Sequence, residues 1–328
     1  MNCPEFRPPM WLRSGHLQTI AIGYFAGPPR TEQATQHIVP LEDGDAIVLH
    51  EDAPASSSLA PATPKRVAIL IHGLTGCHAS PYVQRLAFKL NQAGVHTYRM
   101  DMRGCGAGSQ LARDLCHAGR SADALAAMRF VANRHREAIL MPVGFSLGAA
   151  VLLRTLGEFA NELPDEVRHA FAVSPPIDLR DCCLRIQRGL SRWYDRTLAR
   201  WLYQRVQERK ALHKALAELD NGSPPRTIWD FDEQFTAPLG GFRSAEHYYH
   251  ECSSLPLLTN IRVPTTILTA DDDPVVPGHG LSEASLPATI QHWRTRHGGH
   301  LGYYAARNKD PDQWWMDWRI VEFALSRM

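Results

Sequence analysis

An α/β architecture, a mostly parallel sheet flanked by helices, is what this sequence predicts, and three observations predict it. Short apolar runs recur along the chain at 67–71, 95–100, 138–143, 170–173, 265–269 and 289–293, each of strand length. Stretches with helical patterning separate most of them, and strands alternating with helices are the signature of a parallel sheet covered on both faces. At 328 residues, 44% hydrophobic and 21% charged, the chain also has the length and composition to bury a full core without staples.

The elements follow in order. Turn signals at Pro8-Pro9, Gly27-Pro28-Pro29 and Asp43-Gly44-Asp45 make the first 50 residues a loop-rich arm that ends in an edge hairpin at Ala46-Ile47-Val48-Leu49. Residues 53–64, mostly Ala, Pro and Ser, read as a surface loop. The unbroken run Val67-Ala68-Ile69-Leu70-Ile71 is the first buried strand and ends at His72-Gly73, with a helix expected over 81–93. A strand at 95–100, a helix at 121–135, a strand at 138–143 and a helix from Ser146 to about Phe159 continue the pattern. After the strand at 170–173 the alternation stops. Residues 180–218 read as one or two amphipathic helices, with Leu184, Leu190, Tyr194, Leu198, Trp201 and Leu202 near helical spacing. They are expected to form a helical cap, residues 179–250, inserted after the sixth strand between two parts of one core, 1–178 and 251–328. A last helix is expected near 312–327, docked by Trp314, Trp315 and Trp318.

Composition removes several function classes. Lys and Arg total 35 against 34 Asp and Glu, so the basic excess that marks a nucleic-acid binder is absent. No run approaches the roughly 18 apolar residues that span a bilayer, and no secretory signal opens the chain. Seven scattered cysteines with no Cys-x-x-Cys pair argue against a disulfide framework or a structural zinc site, and a cytoplasmic location is the expectation.

The chemistry concentrates at Gly144-Phe145-Ser146-Leu147-Gly148. A Gly-x-Ser-x-Gly sequence alone carries little weight. Here an apolar strand ends just before it and a helix begins just after, which is the sharp turn that lifts a nucleophilic serine above a sheet edge. Glycines two residues to either side leave room where neighbouring backbone must come close, and the helix N-terminus favours a developing oxyanion. Serine is a poor nucleophile unaided, so an acid and a histidine are required later in the chain, in that order. Asp271-Asp272-Asp273 follows one strand and His297-Gly298-Gly299-His300 follows the next. Asp273, just before the Pro274-Val275-Val276-Pro277 turn, is the expected acid with Asp272 as the alternative. His300, between glycines, is the expected base with His297 as its competitor. Two backbone donors for the oxyanion are expected from the amides of Leu147 and Leu74, the latter in His72-Gly73-Leu74-Thr75-Gly76. That loop is neither Gly-x-Gly-x-x-Gly nor followed by Gly-Lys-Ser/Thr, so it does not read as a phosphate cradle.

Taken together these motifs resemble the α/β-hydrolase superfamily, and more narrowly its YheT-like branch, the AB hydrolase 4 family. The resemblance rests also on Phe6-Arg7-Pro8-Pro9 and His16-Leu17-Gln18-Thr19 in the arm, Pro81-Tyr82, Arg103-Gly104-Cys105-Gly106, Tyr248-Tyr249 with Cys252-Ser253-Ser254, and Gly298-Gly299-His300-Leu301-Gly302. It implies a serine carboxylesterase or lipase-like hydrolase with Ser146, Asp273 and His300 as its triad. It favours Asp273 over Asp272. The expected chemistry uses no metal and no organic cofactor, and the expected partner is a small-molecule or lipid-like ester. Acyl transfer, thioester cleavage and a non-catalytic receptor on the same fold are the alternatives. Between Arg180 and Lys214 ten Lys or Arg face three Asp or Glu. An anionic lipid surface would suit that excess, but with no aromatic stripe to accompany it the region reads as a solvated face, and Trp193, Tyr194, Trp201 and Tyr203 as packing or pocket residues.

Overall fold

A computed structural model describes residues 3–24, 34–54, 66–211, 213–276, 278, 280–281 and 286–326. Among these, eight strands lie in one sheet: β1 (Thr35–Pro40), β2 (Ala46–Asp52), β3 (Arg66–Ile71), β4 (His96–Asp101), β5 (Ile139–Phe145), β6 (Ala170–Val173), β7 (Thr265–Ala270) and β8 (Ile290–Thr295). Their order is β1-β2-β4-β3-β5-β6-β7-β8. The hairpin β1–β2 and its junction with β4 are antiparallel, and every later pairing is parallel. The expected strands are therefore present, with boundaries moved by up to three residues. The Ala, Pro and Ser stretch lies, from residue 55 onward, outside the described residues.

Burial on both sheet faces explains the unbroken apolar run in β3. Val67, Ile69 and Ile71 pack on one face beneath α3 (Ser121–Arg134) and α4 (Leu147–Glu158). Ala68 and Leu70 pack on the other beneath α2 (Pro81–Gln92) and the C-terminal helix, here α11 (Trp315–Ser326). Pro81 presets the first turn of α2, and Val83, Leu86, Ala87 and Leu90 form its buried stripe. The last helix is held to α2 by charge as well as by Trp315. The fully buried Asp317 carboxylate takes Arg85 and, at 3.0 Å, Lys89.

Two expectations need correcting. The N-terminal arm, read as loop-rich with no helix assigned, contains α1 (Gly15–Tyr24). A search for an apolar stripe misses this helix because its anchor is polar: Gln18 is fully buried and satisfies backbone groups of Leu12 and Tyr304. The second correction concerns the segment between β6 and β7, which holds α5 (Leu179–Ile186), α6 (Arg192–Arg209), α7 (Lys214–Leu219), α8 (Ile228–Phe231), α9 (Ala237–Leu239) and α10 (Ala245–Cys252). Leu190 and Trp201 do not belong to a buried stripe. Leu190 precedes α6 and is 77% exposed, Trp193 is 60% and Trp201 50% exposed, while Tyr194, Ala199, Leu202 and Val206 form the buried face. The reason is that α6 borders a cavity and solvent, so only part of its surface meets protein.

This helical insertion is tied to the core by guanidinium groups on loop carbonyls, where Arg209 donates to Ser109 O at 3.0 Å and Asp114 O at 3.1 Å. Between α8 and α9 the backbone makes a π-helical turn, Asp232–Thr236. The buried Asp232 carboxyl accepts hydrogen bonds there from Thr236 Oγ1 (2.6 Å) and Tyr249 Oη (2.7 Å), both neutral donors. Burial pushes its pKa up to about 6.

Two predictions follow from these buried carboxyls. Burial alone would raise the Asp317 pKa, yet Arg85 and Lys89 hold it below the ordinary value. Replacing it with alanine leaves Arg85 without its counter-charge and Lys89 with Asp312 alone, so Asp317→Ala is expected to cost about 3 kcal/mol in equilibrium denaturation at neutral pH. Asp232 behaves oppositely. Its raised native pKa means that its stabilising contribution is present below the unfolded carboxyl range and lost as pH rises through about 6. Asp232→Asn should therefore match wild type in unfolding free energy near pH 4 and exceed it near pH 8, by of order 1–3 kcal/mol. An unchanged difference across that range would contradict the assignment.

Candidate active site

The sheet delivers three side chains to one point from loops at the C-terminal ends of β5, β7 and β8. Ser146 sits between β5 and α4 with φ 50° and ψ −120°, a left-handed conformation that a non-glycine residue adopts only when its surroundings enforce it. The flanking glycines are part of that enforcement. A Cβ on Gly148 would lie 2.4 Å from the carbonyl oxygens of Ile71 and His72, and one on Gly144 would lie 2.6 Å from Ala149 Cα. The serine amide donates to Val173 O at 2.8 Å, which pins the turn to β6.

His300 Nε2 stands 2.9 Å from Ser146 Oγ, and His300 Nδ1 stands 2.9 Å from Asp273 Oδ2. Because a carboxylate can only accept, Nδ1 carries the ring proton and the unprotonated Nε2 accepts the serine hydroxyl. The Asp273 side chain is 1% exposed, and its other oxygen accepts the amides of Val275 (2.8 Å) and Val276 (2.9 Å), so the carboxylate is fixed on both sides. Asp272 does something else. It accepts the Gly299 amide at 2.9 Å and contacts His297 Nδ1 at 3.2 Å, bracing the loop that carries His300. Asp271 pairs with Arg294 on the surface. Ser146, His300 and Asp273 are thus brought together, while Asp272 and His297 form a separate pair beside them.

The loop after β3 closes the other side. Gly76 N–H donates to Gly73 O at 3.0 Å, making a turn whose third residue, Thr75, has φ 59°. Leu74 and Leu147 both line the same cavity as Ser146. Three side chains hold this turn. Tyr82 Oη accepts the Gly73 amide at 2.8 Å, and burial pushes the phenol up to about 12, so it remains a neutral hydroxyl. His72 accepts the Met102 amide on Nε2 (3.2 Å) and donates from Nδ1 to Gly73 O (2.8 Å). Arg205, reaching across from α6, caps the carbonyls of Thr75 and Gly76.

The sequence motifs in the arm acquire a purpose here. His300 N–H donates to Thr19 Oγ1 at 2.8 Å, and Thr19 Oγ1 in turn donates to Gly15 O at 2.7 Å. Gln18 bonds Tyr304 through both its amide groups. A Cβ on Gly299 would lie 2.3 Å from Gly15 O, and one on Gly302 2.5 Å from Gln18 O. Thr19 and Gln18 were legible as a motif, yet their role was not, because their partners lie some 280 positions away.

Above Ser146 opens a cavity of about 760 Å³, shared between core and insertion, with Ile20, Leu179, Ile186, Leu198, Leu202 and Phe231 among its apolar walls. Away from it, His50, His78 and Asp101 bring possible ligand atoms within 4.8 Å of one another. The Asp101 carboxylate there already accepts both rings and the amides of His78 and Ala107, so these groups satisfy each other without an ion.

Comparison with known proteins places this geometry in context. A model of the alpha/beta hydrolase fold matches residues 67–306. The chain is 31% identical to the Escherichia coli (strain K12) protein named "Putative esterase YheT", over 97% of this chain and 92% of that one. It is 30% identical to the Saccharomyces cerevisiae "Medium-chain fatty acid ethyl ester synthase/esterase 2", over 75% of this chain and 59% of that one. Among solved structures, the Pyrococcus furiosus esterase Pf2001 superimposes with a TM-score of 0.57 at 16% identity, covering 99% of both chains, a likeness of fold alone. With the family model spanning most of the chain and the sheet, elbow and loops arranged as described, the protein belongs to the α/β-hydrolase family.

Proposed function

We propose that the protein hydrolyses carboxylic esters through an acyl-enzyme on Ser146. The observation that carries this reading is the continuous hydrogen-bond chain Ser146–His300–Asp273 at the floor of a largely apolar cavity. His300 Nε2 takes the Oγ proton as the oxygen attacks the ester carbonyl, and then returns it to the leaving alcohol. Asp273 holds the Nδ1–H tautomer and stabilises the imidazolium. The amides of Leu147 and Leu74 receive the oxyanion, the first at the N-terminus of α4 and the second from the turn held by Tyr82, His72 and Arg205. Water admitted to the same position releases the acid. Relatives named esterase support the reaction class.

Residues 179–250 act as the cap over this floor and supply most of the apolar wall. The acyl group they accommodate is correspondingly apolar, and the volume suits a chain of medium length rather than an acetyl group.

The test is release of p-nitrophenol from acyl esters of increasing chain length. Turnover should rise with chain length before falling, and Ser146→Ala should lose at least about a thousandfold. Activity that survives in Ser146→Ala, or a folded wild type inert across the series, would overturn the reading. The two aspartates separate in the same assay. Asp273→Ala should lose about a thousandfold or more in kcat, whereas Asp272→Ala, which only loosens the histidine loop, should lose roughly tenfold. Thr19→Val, which removes the acceptor of the His300 amide, should likewise lower kcat roughly tenfold with KM little changed.

A further inference from the structure

The basic excess of the α6 region is accompanied in the fold by exposed apolar side chains. Leu190, Arg192, Trp193, Arg196, Arg200 and Trp201 are all exposed; Arg192, Arg196 and Arg200 repeat every fourth residue, and with the two tryptophans they occupy the side of α6 opposite its buried face. An aromatic element absent from the reading of the sequence is thus present in the fold. Arg196 and Arg200 make no ion pair with any carboxylate among the described residues, and neither does Arg188 just upstream. Arg192 donates only to the Gly189 carbonyl. Other basic side chains of the insertion, by contrast, are committed: Arg180 to Glu246, Arg185 to Asp181, Lys210 to Asp220.

This face adjoins the mouth of the cavity. Trp193, Trp201 and Ile20 line the cavity and are also substantially exposed. The α1 helix, whose Leu17 is 47% exposed, is joined to α6 by the stacked rings of His16 and Tyr194 and their 3.2 Å hydrogen bond. Exposed Trp and Leu beside unpaired Arg are the composition of a surface that lies at the headgroup level of a bilayer, with indoles at the interface and guanidinium groups on phosphates. No helix among the described residues is long and apolar enough to cross a membrane, so such contact would be peripheral.

We propose that the outer face of α6, together with Leu17 and Ile20 of α1, docks the protein on anionic lipid surfaces with the cavity mouth turned toward the bilayer. Charge complementarity selects the occupant. A neutral surface would engage only the apolar side chains, whereas the three unpaired arginines of this face gain most from an anionic one. The docking depends on surface composition and not on the serine chemistry, so it can be tested apart from the proposed hydrolysis.

The experiment is sedimentation of the full-length protein with vesicles of phosphatidylcholine alone and of phosphatidylcholine mixed with phosphatidylglycerol, at low and high salt. Partitioning should be at least about tenfold stronger on the anionic vesicles and should weaken with salt. The combined variant Arg192→Glu/Arg196→Glu/Arg200→Glu should lose at least about tenfold in binding while retaining turnover of a short, soluble ester, which also reports that it is folded. The single Leu190→Ser variant should lose about threefold. Ser146→Ala should bind as wild type does, so failure of the esterase reading would leave this result intact. Equal binding to both vesicle types, binding retained by the triple variant, or no binding at all would overturn the proposal. So would a lipid-free dimer broken by Leu190→Ser, which would make the face a seat for a second copy of the chain.

Discussion

The close approach of backbone to backbone at Ser146 is the constraint on which the rest of the site depends. Gly148 lies against the last carbonyls of β3 and its loop, and Gly144 against the start of α4, so the serine turn and the Leu74 turn are locked together. Gly73 continues the same contact, since a Cβ there would stand 3.0 Å from the Ser146 Cβ. Left-handed backbone at Ser146 and Thr75 flanks this junction. Strain of that kind persists only where packing leaves no alternative, and here the buried apolar sheet beneath supplies the packing.

The histidine is positioned by a different device. Nothing in β8 itself fixes His300, because the loop that follows is rich in glycine and turns through positive φ at Gly298 and Gly299. Its placement comes from outside: Asp272 on the Gly299 amide, Thr19 on the His300 amide, and Gln18 on both backbone groups of Tyr304. The proposed base is therefore assembled from the N-terminal arm, the loop after β7 and its own loop. Its supporting contacts span nearly the whole chain, the kind that close slowly during folding.

That division accounts for what the sequence made legible. The strand runs, the elbow and the order serine, aspartate, histidine are local patterns, and local patterns survive in one dimension. Asp273 separates from Asp272 for a local reason as well, since its carboxylate closes a turn on Val275 and Val276. The helix in the arm was not legible because its determinants are polar groups that answer distant backbone, with no apolar period to betray them. The outward turn of Trp193 and Trp201 was hidden for the converse reason: an apolar residue at helical spacing looks like core until the fold shows that no layer lies above it.

Helix α6 then serves three surfaces at once, and their demands explain its mixed composition. Its inner face, Leu202 and Val206 among others, fills a small apolar cluster with Leu216, Phe231 and Phe235. One edge sends Arg205 to the carbonyls of the turn that holds Leu74, so movement of the insertion would be felt directly by a proposed oxyanion donor. Its outer face carries the unpaired arginines and exposed tryptophans. The exposed Trp201 and the Arg205 that caps the turn at Thr75 stand about one helical turn apart on the same helix.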